Sequence, residues 1–411
     1  MTDRLFVAVQ IGEQTVEAGV AFIERHRNST STTFRYDDDY LANPSGYALD
    51  PGLSLFEGTQ SVNGLPGAFQ DCSPDRWGRN LVTKRIRAED LNEGRTARSV
   101  GELDYLIGVS DLTRQGALRF RRERVGPYLD PDPTVPKLVE LPRLLRAADV
   151  VTKDDGDDMA AIKALLDAGS GSLGGARPKA SVRSDDRLFI AKFPHHNDEW
   201  DVMAWEKTAL DLAARAQIDV PKSELVPVGR RRVLLVNRFD RDGLKGRLGY
   251  ISAMTLVSGS DGGDYDYLDV AEYLAEHGSR VKADLWQLWR RVAFSVVIHN
   301  TDDHLRNHGF LHEASGWQLS PLFDVNPNPS MGDLRATTIA GAQTASDEVA
   351  GLMALAHDCG LAPKDSRRVL EEVLSATADW RHLALKNGIA ESALPRFHDA
   401  FESRRAELMS A

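Results

Sequence analysis

Residues 299–325 read HNTDDHLRNHGFLHEASGWQLSPLFDV, and the order of loop, strand and acid in this stretch decides what kind of chain this is. Asp302 and Asn307 stand five positions apart in a polar loop. A strand is expected at GFLH, a turn at EASG and a second strand at WQLSPLF, which ends at Asp324. The hairpin would carry Asp324 back beside Asn307. Such a set offers one carboxylate to accept a proton from an attacking hydroxyl. It also offers an amide oxygen and a second carboxylate for a magnesium ion, the all-oxygen environment that this hard cation prefers. Just upstream, Leu285, Leu288, Trp289, Val292 and Val296 recur at three- and four-residue steps, the buried stripe of a helix that delivers the chain to the loop. The chemistry these residues suit is phosphoryl transfer.

The D-x4-N spacing followed by a hairpin and an acid resembles the catalytic loop and metal-binding Asp of protein kinases, with Val325 standing where that family has Phe-Gly. The spacing alone is a common chance match. Two upstream features add to it. The run GSGSLGGARPKAS, residues 169–181, is a small-residue turn with Arg177 and Lys179, in which main-chain N–H groups could approach phosphate oxygens while the cations neutralise them. It lacks Walker A spacing. Lys192, in the apolar run LFIAKFP, is expected to project from a strand, with Glu206 on the helix that follows. A strand lysine steadied by a helix glutamate is how a kinase small lobe grips the nucleotide phosphates.

Farther out, the amino-terminal segment reads as strands at 5–11, 15–25 and 30–41. Ser73-Pro74-Asp75 then marks the start of a helix through RWGRNLVTKRI. The proline-rich stretch 126–136 is expected to be a linker, because its four prolines support neither a ladder nor a helix. Residues 137–170 read as helical. Residues 171–240 mix strands (RLFIAKF, RRVLLVNRF) with a helix from Trp200 to Ala216, and the chain from about 250 onward is mostly helical. The acidic run 153–159 reads as a solvated helix start. The expected domains are a β-rich one at 1–130, an ATP-binding α+β lobe at 137–245 and a helical catalytic lobe at 246–411.

Composition narrows the function classes. The 411 residues are 42% hydrophobic and 27% charged, ordinary for a globular protein of two or three units. With 61 acidic and 50 basic residues the formal charge is -11, a poor start for holding nucleic acid over a broad face. Cys72 and Cys359 are far apart and in no ligand spacing, which indicates neither a disulfide framework nor a zinc site and fits a reducing compartment. No stretch approaches the roughly 20 apolar residues that span a bilayer, so a cytoplasmic protein without a membrane partner is expected.

The order of the motifs resembles one family, the HipA-type toxin Ser/Thr kinases of bacterial toxin–antitoxin modules. SLGGARPKA (172–180), IAKFP (190–194), LLVNRFDR (234–241), NTDDHLRNHGFL (300–311) and LSPLFDV (319–325) carry the resemblance, and LPGAFQDCSPDRWGRNLV with the later GALRF extends it to the amino-terminal part. The resemblance implies an α+β, protein-kinase-like bilobal fold with an amino-terminal β-rich subdomain and a mostly helical carboxy-terminal lobe.

It further implies Asp302 as catalytic base and Asn307 and Asp324 as Mg²⁺ ligands. ATP would be held by Gly174, Gly175, Ala176, Arg177, Pro178, Lys179 and Lys192 at its phosphates and by Asn237, Arg238 and Phe239 by the adenine. His304, Leu305, Arg306 and Asn307, with Phe323 and Asp324, would complete the nucleotide contacts. Ser172 would be autophosphorylated as an off-switch, and Glu206 would pair with Lys192. The implied partners are a protein substrate, with a translation component such as an aminoacyl-tRNA synthetase as the candidate, and a helix-turn-helix antitoxin of the HipB type, with DNA reached only through that antitoxin. Asn237 stands where the family often has glutamate, and Asp303 stands where a small residue is common, its role left open.

Each residue also has a plainer reading. Asp302 and Asn307 suit loop caps, the glycines suit turns, Lys192 suits a snorkelling edge-strand cation, and Glu206 suits a helix surface. His299, His304, His308 and His312 invite a metal-site reading, but they are spread over a helix end, a loop and a strand. The competing functions are a pseudokinase or nucleotide-binding module, and a metal-dependent phosphohydrolase built on the DDH run.

Overall fold

The first strand carries a continuous apolar run, and in the computed structural model Leu5, Phe6, Val7, Ala8 and Val9 are all buried within it, as in a strand covered on both faces. The structure describes residues 2–26, 29–129, 135–153, 158–170 and 177–411. Strand Thr2–Ile11 pairs antiparallel with Gln14–Arg25 on one side and Leu118–Arg121 on the other. Thr30–Tyr36 and Thr59–Asn63 extend the sheet to five strands. Phe34, Phe69 and Phe120 meet edge to face beneath it, the arrangement that aromatic quadrupoles favour.

Two local expectations shift. The third strand ends at Tyr36 and gives way to a short helix, Asp38–Leu41. The long helix begins at Arg76 and runs to Asn92, with Asp75 rather than Ser73 at its N-cap, because the Ser73 hydroxyl donates to the Phe69 carbonyl.

The chain divides into two compact units, residues 1–197 with 226–251 and residues 198–225 with 252–411. Besides the five-stranded sheet, the first unit holds strands Lys179–Ser184, Arg187–Lys192 and Arg231–Asn237, antiparallel in that order. Their apolar face, Ala180, Val182, Ala191, Phe193, Val233 and Leu235, packs in one core with helices Leu141–Lys153 and Met159–Asp167 and with Trp77 and Leu81. Each large apolar side chain buried there contributes about 1.5–3 kcal/mol. Asp158, in the acidic run, caps the second of these helices by accepting from Ala160 N and Ala161 N.

The second unit is mostly helical. Helix Val202–Arg215 buries Trp205 against Phe397, ring centroids 3.9 Å apart. Helices Tyr267–His277, Glu348–Asp358 and Pro363–Thr377 pack on helix Val281–Val297, which also packs against the hairpin Gly309–Glu313/Gly316–Leu319. Leu285, Leu288, Trp289, Val292 and Val296 are all buried, as their spacing predicts. The α+β fold is thus β-rich toward the amino terminus and helical toward the carboxy terminus. Among the described residues no helix is long and apolar enough to cross a membrane.

Candidate active site

The loop that follows helix Val281–Val297 is fixed at both ends by the main chain. His299 N donates to Val296 O (3.1 Å) and Asn300 N to Ser295 O (2.8 Å), the paired bonds of a Schellman stop. The position such a stop usually gives to glycine is His299, at φ 52°. Downstream, a single 3-10 turn, Leu305–Asn307, precedes the hairpin, and Ala253 N donates to the His308 carbonyl at 2.7 Å.

Within this frame Asn307 is buried, and its Nδ2 donates to the Asp302 carbonyl at 3.1 Å. That bond closes the loop across five residues and turns the amide oxygen the other way. The second strand stops at Leu319, short of the expected Asp324. Ser320 N still reaches across the hairpin to Gly309 O (2.8 Å), but Pro321 has no N–H to give and Leu322 N donates to Asp219 O (2.7 Å). Asp324 then takes φ 54°, a left-handed conformation that few residues other than glycine adopt. It is half-buried, and Asp302 is exposed.

Partial burial raises the Asp302 carboxyl above its ordinary range. His304 opposes that shift, and the carboxylates of Asp324 and Asp303 reinforce it. Among the described residues of these segments, His299 Nδ1, His304 Nδ1, His308 Nδ1 and Asn326 Oδ1 are buried without a hydrogen-bond partner. The carboxylates of Asp302 and Asp324 crowd each other, and Asn307 beside Asp302 adds an amide oxygen; an all-oxygen set of this kind is what a divalent cation would relieve, so the donor set fits magnesium.

Asp303 does something different from its neighbour. Fully inside the protein, it accepts from Tyr267 Oη at 2.6 Å and from His308 Nε2 at 2.9 Å. Burial alone would raise its carboxyl, but His308, Tyr267 and the nearby Arg335 outweigh burial and hold it well below the usual carboxylate range. Arg335 is itself buried. It donates to Glu348 Oε2 (3.0 Å), Ser295 Oγ (2.6 Å) and the Asn300 carbonyl (3.1 Å). Asn328 adds a bond to Thr301 Oγ1 at 2.7 Å. These groups hold the loop from behind. No local sequence signal marks them, since Tyr267 and Arg335 lie more than thirty residues from Asp303 in the chain.

The remaining predicted residues fall in several places. Leu305 is buried, Phe323 is half-buried, and half-buried Arg306 pairs with Asp261 at 2.9 Å. Glu206 is buried on helix Val202–Arg215 in the second unit. In the first unit, Lys179 and Lys192 sit directly opposite each other on paired strands, so both side chains emerge on one face, and Lys179 Nζ lies 3.6 Å from Asp75. Arg177 is half-buried and Pro178 buried.

Asn237 and Phe239 are half-buried, whereas the Arg238 side chain is buried. It donates to both Asp240 oxygens (2.9 and 2.6 Å) and to the Thr113 carbonyl (2.6 Å), so it braces the chain rather than presenting a charge. Ser172, Gly174, Gly175 and Ala176 lie outside the described residues. The four histidines do not share a ligand: His299 Nε2 meets the Ser330 carbonyl, His308 meets Asp303, and the His312 ring packs edge-on to Trp317.

Comparison with known proteins bears on the same regions. The profile of the HipA-like C-terminal domain matches residues 171–380, and that of the HipA N-terminal domain matches residues 15–102. Among curated proteins, the provisionally named kinase Y4mE of Sinorhizobium fredii is 26% identical over 205 residues, 46% of this chain and 47% of its own length. A provisionally named kinase of Haemophilus influenzae is 24% identical over 187 residues, 39% of this chain and 54% of its own. The chain therefore spans about half the length of the curated relatives it matches. Among solved structures, the HipA, HipB and operator DNA complex of Shewanella oneidensis MR-1 contains a chain of the same fold. Its TM-score is 0.66 at 16% identity, over 99% of this chain and 96% of that one.

Proposed function

The chain belongs to the HipA family, and on that footing we propose that it is an ATP- and magnesium-dependent kinase that phosphorylates a serine or threonine hydroxyl of a protein. The observation that carries this reading is the convergence of Asp302, Asn307 and Asp324 on one braced loop and hairpin, with Asp324 held in a strained left-handed conformation.

In this reading Asp302, exposed and with its carboxyl raised above the ordinary range, accepts the proton of the attacking hydroxyl. The Asn307 amide oxygen and the Asp324 carboxylate would hold magnesium, which when bound neutralises charge on the nucleotide phosphates. Asp303 keeps Asp302 and Asn307 in place from behind and does not touch the reacting atoms. Lys192, with Lys179 opposite it, would supply positive charge to the phosphates, and Glu206 is the helix acid assigned to steady Lys192. Main-chain groups of Asn237 to Phe239 would meet the adenine, since the Arg238 side chain is already engaged.

The S. oneidensis complex supports a helix-turn-helix antitoxin of the HipB type as partner, with DNA reached through it. The protein substrate, a translation component such as an aminoacyl-tRNA synthetase, and an off-switch by phosphorylation of Ser172 follow from the family reading. A phosphoserine of about -1.5 to -2 charge would compete with nucleotide for the loop's N–H groups and cations.

Calorimetry tests the metal assignment. Asp324→Ala should abolish the magnesium-dependent part of ATP affinity while the magnesium-free affinity stays. An equal loss with and without magnesium would move the metal elsewhere.

A further inference from the structure

Away from the candidate active site, the first unit contains a cavity of about 300 Å³ between helix Arg76–Asn92, the turn at Gly108 and the segment after strand Leu118–Arg121. We propose that it is a binding site for a small phosphomonoester with an apolar body.

The charges around it are unevenly satisfied. Asp104, on the cavity wall, is buried and already accepts from Gly101 N (2.9 Å), Arg98 Nη1 (2.9 Å) and Arg25 Nη1 (3.3 Å). It therefore acts as a scaffold anion already engaged by the fold. Arg85 is in the opposite condition. Its Nε is buried with no hydrogen-bond partner, and the carboxylate beside it, Glu89, lies 3.8 Å away, beyond hydrogen-bond reach. Gly108 makes room for this guanidinium, because a Cβ there would meet Arg85 Nη2 at 3.2 Å.

Arg122 lines the same cavity, and its ion pair with Asp3 is 3.7 Å long, while Asp3 is shared with Arg25 at 3.2 Å. Among the described residues the charges are thus four arginines (25, 85, 98 and 122) against Asp3, Glu89 and Asp104, and the weakly engaged donors belong to Arg85 and Arg122.

The Arg85 Nε–H is shielded from water with no acceptor, which is unfavourable, and an anion supplied to it would relieve that cost. Planar guanidinium forks match a tetrahedral dianion with several acceptor oxygens better than they match a single carboxylate. Between the arginines, Ile86, Ile107 and Leu129 give the cavity an apolar wall for the rest of the ligand. A volume at the lower end of ligand pockets, about 300–1,000 Å³, limits that body to a small ring or chain.

The test is calorimetry on the full chain with phenyl phosphate, with inorganic phosphate and benzoate as comparisons. Phenyl phosphate should bind at least about 10-fold tighter than either, the ring adding apolar burial and the dianion adding charge. Arg85→Gln and Arg122→Gln should each weaken it by about 10-fold, and added salt should weaken it further. Arg122 is 56% exposed, so its variant keeps the fold and the test stands even if Arg85→Gln is unstable. Binding that neither substitution weakens, or benzoate bound as tightly as phenyl phosphate, would overturn the proposal. Inorganic phosphate bound as tightly as phenyl phosphate would remove the apolar body from it.

Discussion

The loop at 299–308 and the strand end at 237–241 both carry charged residues that the sequence assigns to nucleotide, and the structure treats them in opposite ways. In the loop, Asp302 is left exposed with a raised carboxyl, while its neighbour Asp303 is buried and fully engaged. At the strand end nothing charged is left over. Arg238 and Arg241 both donate to Asp240, which also accepts from Gly116 N at 2.8 Å. Burial pushes the Asp240 carboxyl up, but the two arginines outweigh it and hold the carboxyl well below the usual carboxylate range. On the proposed function, the catalytic carboxylate is marked by what its environment withholds, and a structural one by a complete set of partners.

The comparison can be broken most forcefully at Asp240. Asp240→Ala strands two buried arginines and should cost about 3–5 kcal/mol of stability, read from denaturant melts of the full chain. A variant as stable as the parent would mean that the strand-end charges are not structural. Next comes Asp303→Asn, which keeps the shape and removes the charge that His308 and Tyr267 face. A loss of about 1–3 kcal/mol is expected, with rescue of neither loop order nor stability by added magnesium.

Both carboxylates also set a pH dependence. Their folded-state values are depressed, so the stability they supply is fully present above the ordinary value of 3.8 and is lost as pH falls below it. The deficits of the two variants should therefore shrink below about pH 4, and deficits that stay constant there would contradict the assignment. The smallest effect belongs to Arg306→Ala. Its pair with Asp261 is solvent-exposed on the acid's side, so less than about 1 kcal/mol should be lost, and a larger cost would show that Arg306 braces the loop.

Much of this was legible in the chain itself, for reasons that differ by region. The helical stripe from Leu285 to Val296 repeats locally, and local periodicity is what a sequence displays best. The Asp302–Asn307 spacing lies within one turn of the chain, so its closure by a single hydrogen bond could be anticipated. Asp303, by contrast, looks like a duplicate of Asp302, and only Tyr267, His308 and Arg335, brought in from elsewhere, separate the two roles. The strand ending at Leu319 rather than Asp324 has the same origin, since the amide of Leu322 is taken by Asp219, about a hundred residues upstream. Arg238 stands among the adenine contacts that the family resemblance implies, and its side chain is taken up by Asp240 and by the Thr113 carbonyl, which lies in a loop far earlier in the chain.

The most direct test of the whole account is transfer of labelled γ-phosphate from ATP in the presence of magnesium, with a cell extract as the source of protein acceptors. The parent chain should label at least one protein. Asp302→Asn should reduce that labelling by roughly 10²- to 10⁴-fold, the usual contribution of a positioned base, while ATP affinity stays close to that of the parent. Undiminished labelling by Asp302→Asn, or no magnesium-dependent labelling by the parent in extracts that contain its acceptor, would contradict the central claim.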